Sequence, residues 1–205
     1  MPNNLQATYD SMAQSWATHN ETDVWWQPGA NIFASNFKAN ATILDMGCGA
    51  GIKTDYFQAK GLNVTGLDFS LGMIETAMQR YPHCRFAQQD LNTVDTYPQI
   101  FDGIWLQAVL LHVPKPEAAA TLVRLVTRLK PGGYLYVGVK EIGADGKTEE
   151  VKSEKIHGNQ FTRFFSYYTM FELQQLIQQA GLTLEWSTKT PGRNVMWLEV
   201  IARKA

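Results

Sequence analysis

Ile43-Leu44-Asp45-Met46-Gly47-Cys48-Gly49-Ala50-Gly51 is where an apolar run gives way to a glycine loop. Thr42-Ile43-Leu44 reads as a strand that stops at Asp45. Beyond the loop, Ile52, Tyr56, Phe57 and Ala59 recur at helical spacing. Strand, glycine loop, helix is the layout of a nucleotide-type site in an open α/β sheet. Glycine admits positive φ and the close approach of a ligand, and the first helical amides face that ligand with partial positive charge. A P-loop would need Gly-Lys adjacent, but Ile52 separates Gly51 from Lys53. A dinucleotide fingerprint would need glycine at position 52.

Composition sets the outer limits. A chain of 205 residues, 45% hydrophobic and 18% charged, fits one globular α/β domain, or one domain with a small appendage. A net charge of -1 gives no overall attraction to nucleic acid or anionic membrane. Cys48 and Cys84 lack metal-like spacing, and the sequence shows no metal-ligand cluster and no nucleophilic triad. No secretory leader pattern opens the chain and no apolar run approaches spanning length, so a cytoplasmic location is expected.

Asp-x-Gly-x-Gly-x-Gly over residues 45–51 resembles motif I of the class I S-adenosylmethionine (SAM) methyltransferases. Three later features fall in the same order: Asp68, Asp90 and the Leu-Lys-Pro-Gly-Gly run at 129–133. The resemblance covers about residues 41 to 203. It implies a three-layer α/β/α sandwich with a seven-stranded, mostly parallel sheet, strand order 3-2-1-4-5-7-6, the last strand antiparallel. The chain is then a single methyltransferase domain over 1–205, with an N-terminal helical cap at 1–40 and a candidate substrate lid at 142–168.

Two short helices are expected ahead of the sheet, their aromatics covering one side of it. Asn63–Asp68 reads as the second strand, Arg85–Asp90 as the third and Phe101–Leu110 as the fourth. Pro116–Lys130 reads as an amphipathic helix stopped by Pro131-Gly132-Gly133, with strand five at Tyr134–Val139. The polar segment 142–160 reads as a surface loop. Thr169-x-x-Glu172 is a capping box, and 183–187 with 195–202 reads as a closing hairpin.

Asp68 closes the second strand, about 20 residues past the first loop glycine, where two carboxylate oxygens can accept from both hydroxyls of a ribose. A turn or cap role is the plain alternative. By resemblance, Asp90 and the Leu91 amide meet the adenine, and Gln107 begins the stretch that holds the methionine part. Asp45, Gly47, Cys48, Gly49, Gly51, Phe69 and Met73 complete the implied cofactor contacts, with Tyr9 of Tyr9-Asp10 folding over them.

The chemistry implied is in-line methyl transfer from SAM to an O, N, S or C nucleophile of a small molecule. Alignment does most of that work, because the sulfonium is already activated. A base is needed only if the nucleophile arrives protonated. His112 at the fourth strand's mouth is the candidate base, with Tyr167 and Glu141 behind it. Lys140, Arg163, Tyr167 and Arg193 are candidates for substrate binding; each cation could equally be a solvated surface charge. No metal is expected, and the chain is taken to act as a monomer or homodimer. The competing reading is a non-catalytic SAM or nucleoside-binding protein, such as a sensor or partner subunit.

Overall fold

Strand Thr42–Met46 (β1) is buried on both faces beyond its first residue, which places it at the centre of a sheet. The computed structural model describes residues 5–156 and 159–205, so residues 1–4 of the expected cap and 157–158 of the expected lid lie outside the described residues. Parallel neighbours of β1 are Asn63–Asp68 (β2) and Phe101–Gln107 (β4). Arg85–Gln88 (β3) pairs with β2, and Leu129–Lys140 (β5) with β4. Met196–Lys204 (β9) runs antiparallel to both β5 and Leu182–Pro191 (β8). The sheet order is therefore β3-β2-β1-β4-β5-β9-β8. Setting aside a separate hairpin, Glu149–Ile156 (β6) with Asn159–Ser166 (β7), this is the expected 3-2-1-4-5-7-6.

Helices cover both faces. Gln27–Ala34 (α2) and Ile52–Ala59 (α3) lay Trp26, Phe33 and Phe57 against Ile43, Val64, Trp105 and Tyr136. On the other face, Lys115–Val126 (α5) and Met170–Gln179 (α6) bring Leu122, Leu125, Leu173 and Ile177 onto Leu44, Leu106 and Val137. Full burial of such a side chain contributes roughly 1.5–3 kcal/mol, and these two layers hold the sheet. Leu5–Asn20 (α1) packs on Leu71–Arg80 (α4), with Met12 and Met73 in contact. The capping box at Thr169 and Glu172 is formed, and Ser70 caps α4 by accepting from the Met73 amide.

Several expectations are corrected. The segment read as a loop at 142–160 is largely a two-stranded hairpin, Glu149–Ile156 (β6) with Asn159–Ser166 (β7). Its first strand has no apolar period because the ribbon stands off the sheet: the exposed pairs Ser153–Thr162 and Lys155–Gln160 are polar, and Val151, opposite Phe164, is itself exposed. Helix α5 ends at Val126 rather than Lys130, and β5 already starts at Leu129, opposite Phe101. Pro131-Gly132-Gly133 is thus no helix stop. It lies inside β5, where the pairing with β4 jumps from Phe101–Leu129 to Gly103–Tyr134, a bulge suited to a residue that cannot donate to a ladder. Strand β3 stops at Gln88, freeing Asp90 to cap a 3-10 turn at Leu91–Thr96. Strand β4 stops at Gln107, since Ala108 takes positive φ (58°) and a second 3-10 turn follows at Leu110–His112.

Candidate active site

A cavity of about 230 Å³ opens at the carboxyl ends of β1, β2, β4 and β5. The glycine loop forms its floor. Gly47 has φ 73°, and a Cβ there would lie 2.2 Å from Cγ2 of Val109, so only glycine lets the loop pass the end of β4. The Gly47 and Cys48 amides donate to the Leu67 carbonyl over 2.7 and 3.0 Å. Asp45 turns inward and accepts from Thr54 Oγ1 over 2.7 Å, and burial lifts its carboxyl to about 6.

Asp68 ties two elements together. One carboxylate oxygen accepts from the Gly49 amide and the other from Ser70, each over 2.9 Å. Burial lifts this carboxyl also to about 6, against the pull of those amides. Asp10 in α1 accepts from Ser70 Oγ and the Gly72 amide at the start of α4, where a negative charge is favoured. That anchor aims the neighbouring Tyr9 into the cavity.

Tyr9 meets His112 there. The Nδ1 of His112 lies 2.7 Å from the Phe164 carbonyl, which can only accept, so Nδ1 carries the proton and Nε2 accepts. The Tyr9 hydroxyl, 2.7 Å from Nε2, donates to it, and Arg163 donates to the same hydroxyl over 3.1 Å. Arg163 is also ion-paired with Glu154 across the β6-β7 hairpin. Burial pushes the His112 imidazole down to about 3, and the ring is neutral.

Of the residues singled out in the sequence, Tyr9, Asp45, Gly47, Cys48, Gly49, Asp68, Phe69, Met73, Leu91, Gln107, His112, Lys140 and Arg163 all line this cavity. Four stand apart. Gly51 packs against Phe86, Tyr81 and Ala77, where a Cβ would crowd the Phe86 ring at 2.8 Å. Asp90 accepts from the Asn92 amide over 2.8 Å as a turn cap. Tyr167 donates to Glu150 over 2.7 Å, and Arg193 is exposed and paired with Asp23 over 2.9 Å. Glu141 is held by Lys189.

Other wall residues carried no sequence signal for this place. Trp25 stacks on Trp197, centroids 4.4 Å apart, and Trp16, Trp26, Trp105 and Phe165 complete an aromatic wall. Lys53 also lines the cavity, 5.2 Å above the Trp26 ring, its ammonium lowered by burial. The side-chain amide of Gln107 is 7% exposed, and neither its nitrogen nor its oxygen has a hydrogen-bond partner among the described residues. Away from the cavity, Asp55, His83 and Cys84 bring one ligand atom each within 4.8 Å of the others, a grouping that sequence spacing did not reveal. A 2.8 Å hydrogen bond between Asp55 and His83 accounts for part of it.

A family model described as a methyltransferase domain matches residues 43–133, from β1 through the bulge of β5. This segment is similar to a methyltransferase domain. The chain is 34% identical over 95 residues to a demethylmenaquinone methyltransferase of Renibacterium salmoninarum, covering 46% of this chain and 39% of that one. Over 114 residues it is 35% identical to a trans-aconitate 2-methyltransferase of Methylobacterium nodulans, 54% and 43% of the two chains. The match thus spans about two fifths of each of these curated relatives. In overall fold it is similar to the Burkholderia thailandensis 1,6-didemethyltoxoflavin-N1-methyltransferase, solved with 1,6-didemethyltoxoflavin and S-adenosylhomocysteine. The TM-score is 0.76 at 22% identity, over 98% of this chain and 87% of that one. No helix among the described residues is long and apolar enough to cross a membrane.

Proposed function

We propose that the protein is an enzyme that binds SAM in this cavity and transfers its methyl group to a small molecule. One observation carries the reading. The Asp68 carboxylate is held at the end of β2 directly beneath the Gly49 amide, both facing the same cavity. The residues present fit the cofactor. Asp68 offers acceptors for a vicinal diol, and the loop at Gly47 and Gly49 leaves room for a chain of atoms where side chains would collide. Leu91, Phe69 and Met73 give apolar walls for an adenine. The unpartnered Gln107 carbonyl oxygen and Lys53 are available to the ammonium and carboxylate of an amino-acid end, which leaves the Gln107 Nε2 free.

When bound, SAM would supply a sulfonium methyl that passes to a nucleophile's lone pair, with the carbon–sulfur electrons staying on sulfur. The chain's own part is to bind, align and exclude water. His112 is a positioning residue in this reading. Both its nitrogens are occupied, so it orders Tyr9 and the β6-β7 hairpin rather than waiting to take a proton. Residues 1–205 act as one domain, with the helices of 1–40 closing one side and 142–168 serving as a lid pinned by Arg163 on Tyr9.

Calorimetry with S-adenosylhomocysteine tests the reading: micromolar-range binding is expected, and no heat with either SAM or its product rejects it. The competing reading is a protein that binds SAM without turnover. The cavity continues past the glycine loop to Lys140, Phe165 and Trp197, which supports room for an acceptor and favours the enzyme.

A further inference from the structure

The charges around the cavity mouth pair off almost completely. Arg163 is taken by Glu154 and Tyr9, Arg193 by Asp23, and Lys189 by Glu141. Glu150 accepts from Tyr167 and Lys147. Asp45 is bonded to Thr54 and Asp68 to two amides. Lys53, at the glycine-loop end, has no ion pair within 4.0 Å among the described residues, and Asp45 is the acid that acts on it most strongly.

Lys140 is the other cavity cation without an ion pair, Glu154 being the acid that acts on it most strongly. It stands at the last position of β5, lines the cavity, and holds its ammonium 4.1 Å from the centroid of the Phe165 ring. Among the described residues it has no ion pair within 4.0 Å and no side-chain hydrogen bond. Leaving a half-buried ammonium without a counter-ion is costly unless a ligand supplies one. Burial lowers this ammonium to about 8, so it is still mostly charged at neutral pH.

Two neighbours narrow what the ligand is. The Gln107 amide, buried and unpartnered, offers one more donor to an anionic oxygen from the end of β4. His112, neutral and bonded at both nitrogens, leaves no free base beside Lys140. A nucleophile used here must therefore arrive with its lone pair already available. Phe165 and the Trp25–Trp197 stack add flat apolar walls.

We propose that the methyl acceptor is a small, flat organic carboxylate, held by the Lys140 ammonium and the Gln107 amide between the aromatic walls. This rests on the methyltransferase reading and adds the substrate class to it. A carboxylate oxygen gives its lone pair to the methyl carbon, forming an O–CH3 bond while the carbon–sulfur bond breaks with its electrons left on sulfur. A methyl ester and S-adenosylhomocysteine result, and no proton has to move.

The test is calorimetric and uses the full chain saturated with S-adenosylhomocysteine. The probes are benzoate, cinnamate and indole-3-acetate, each against its neutral amide. Expected is binding of at least one carboxylate, tighter than its amide by about tenfold or more, the worth of a charge-assisted bond. In Lys140→Met that preference disappears, and in Lys140→Arg it is largely kept. S-adenosylhomocysteine affinity stays at the parent value in both variants, which also shows them folded. If S-adenosylhomocysteine itself fails to bind, the methyltransferase reading falls. If it binds but no carboxylate does, or the preference survives in Lys140→Met, the acceptor proposal is overturned and the parent reading stands.

Discussion

The Tyr9 hydroxyl donates to Nε2 of His112 over 2.7 Å, joining the first helix to the mouth of β4 across 103 positions of sequence. Arg163 donates to the same hydroxyl, so three distant segments share one oxygen. Tyr9→Phe removes that oxygen and leaves a buried imidazole nitrogen without a donor. A loss of about 1–3 kcal/mol in unfolding free energy is expected, measured by denaturant titration. No loss would mean that the bond does not hold α1 in place.

His112 is held neutral in the folded chain, at about 3 against an ordinary 6.5. Its folded value is depressed, so the unfolded chain binds the extra proton, and the stability it contributes is lost as pH falls below 6.5. The gap in stability between the parent and His112→Asn shrinks by up to about 1.4 kcal/mol per pH unit down that range. The comparison has to be a difference, because Asp45 and Asp68, both lifted to about 6, act in the opposite sense between about 6 and 4. A gap independent of pH would contradict the neutral assignment.

On the proposed function, Asp68, lifted to about 6, is expected to govern cofactor affinity. Its ionised form is the better acceptor for hydroxyl donors, so binding of S-adenosylhomocysteine weakens as pH falls from 7 to 5. Asp68→Ala weakens binding at pH 7 by about tenfold or more and removes most of that pH dependence. Calorimetry across the range checks both.

Asp90→Ala behaves differently. Its carboxylate caps the 3-10 turn at the Asn92 amide and does not line the cavity. The expected cost is about 1 kcal/mol of stability, with a smaller change in affinity than for Asp68→Ala. Equal affinity losses in the two variants would show that the adenine depends on Asp90 directly.

The lid reading makes a prediction about exchange. Residues 149–156 and 159–166 gain amide protection when S-adenosylhomocysteine binds, and Glu154→Gln, which loosens Arg163, reduces the gain. Replacing 144–158 with a short Gly-Ser linker preserves cofactor binding and lowers turnover. Parent turnover in that variant would reduce the hairpin to a surface excursion.

The centre of the sheet was legible because β1, β2 and β4 are buried on both faces, and β1 and β2 end around aspartate or glycine, as Leu44-Asp45-Met46-Gly47 and Leu67-Asp68 show. The glycine loop was legible for the same reason: only Gly fits at 47. Asp68 and Asp90 look alike in sequence, yet one faces the cavity and the other a turn, a difference set by where β3 stops. The hairpin at 149–166 escaped because a ribbon paired only with itself need not alternate apolar and polar residues. The tryptophans at 25 and 197 and the lysine at 53 escaped because their meeting is tertiary, and nothing local marks it.

The Trp25–Trp197 stack belongs to a wider arrangement. Trp16, Trp25, Trp26, Trp105 and Trp197 line the cavity, and of the six tryptophans in the chain only Trp186 does not. The protein therefore carries its own optical reporter. Near-ultraviolet emission from the unlabelled chain follows occupancy of the cavity, with Trp186 as a steady background. Quenching by a ligand that enters among the indoles is the expected outcome. Titrations and stopped-flow mixing can then follow binding in real time, without dye, isotope or a known turnover assay.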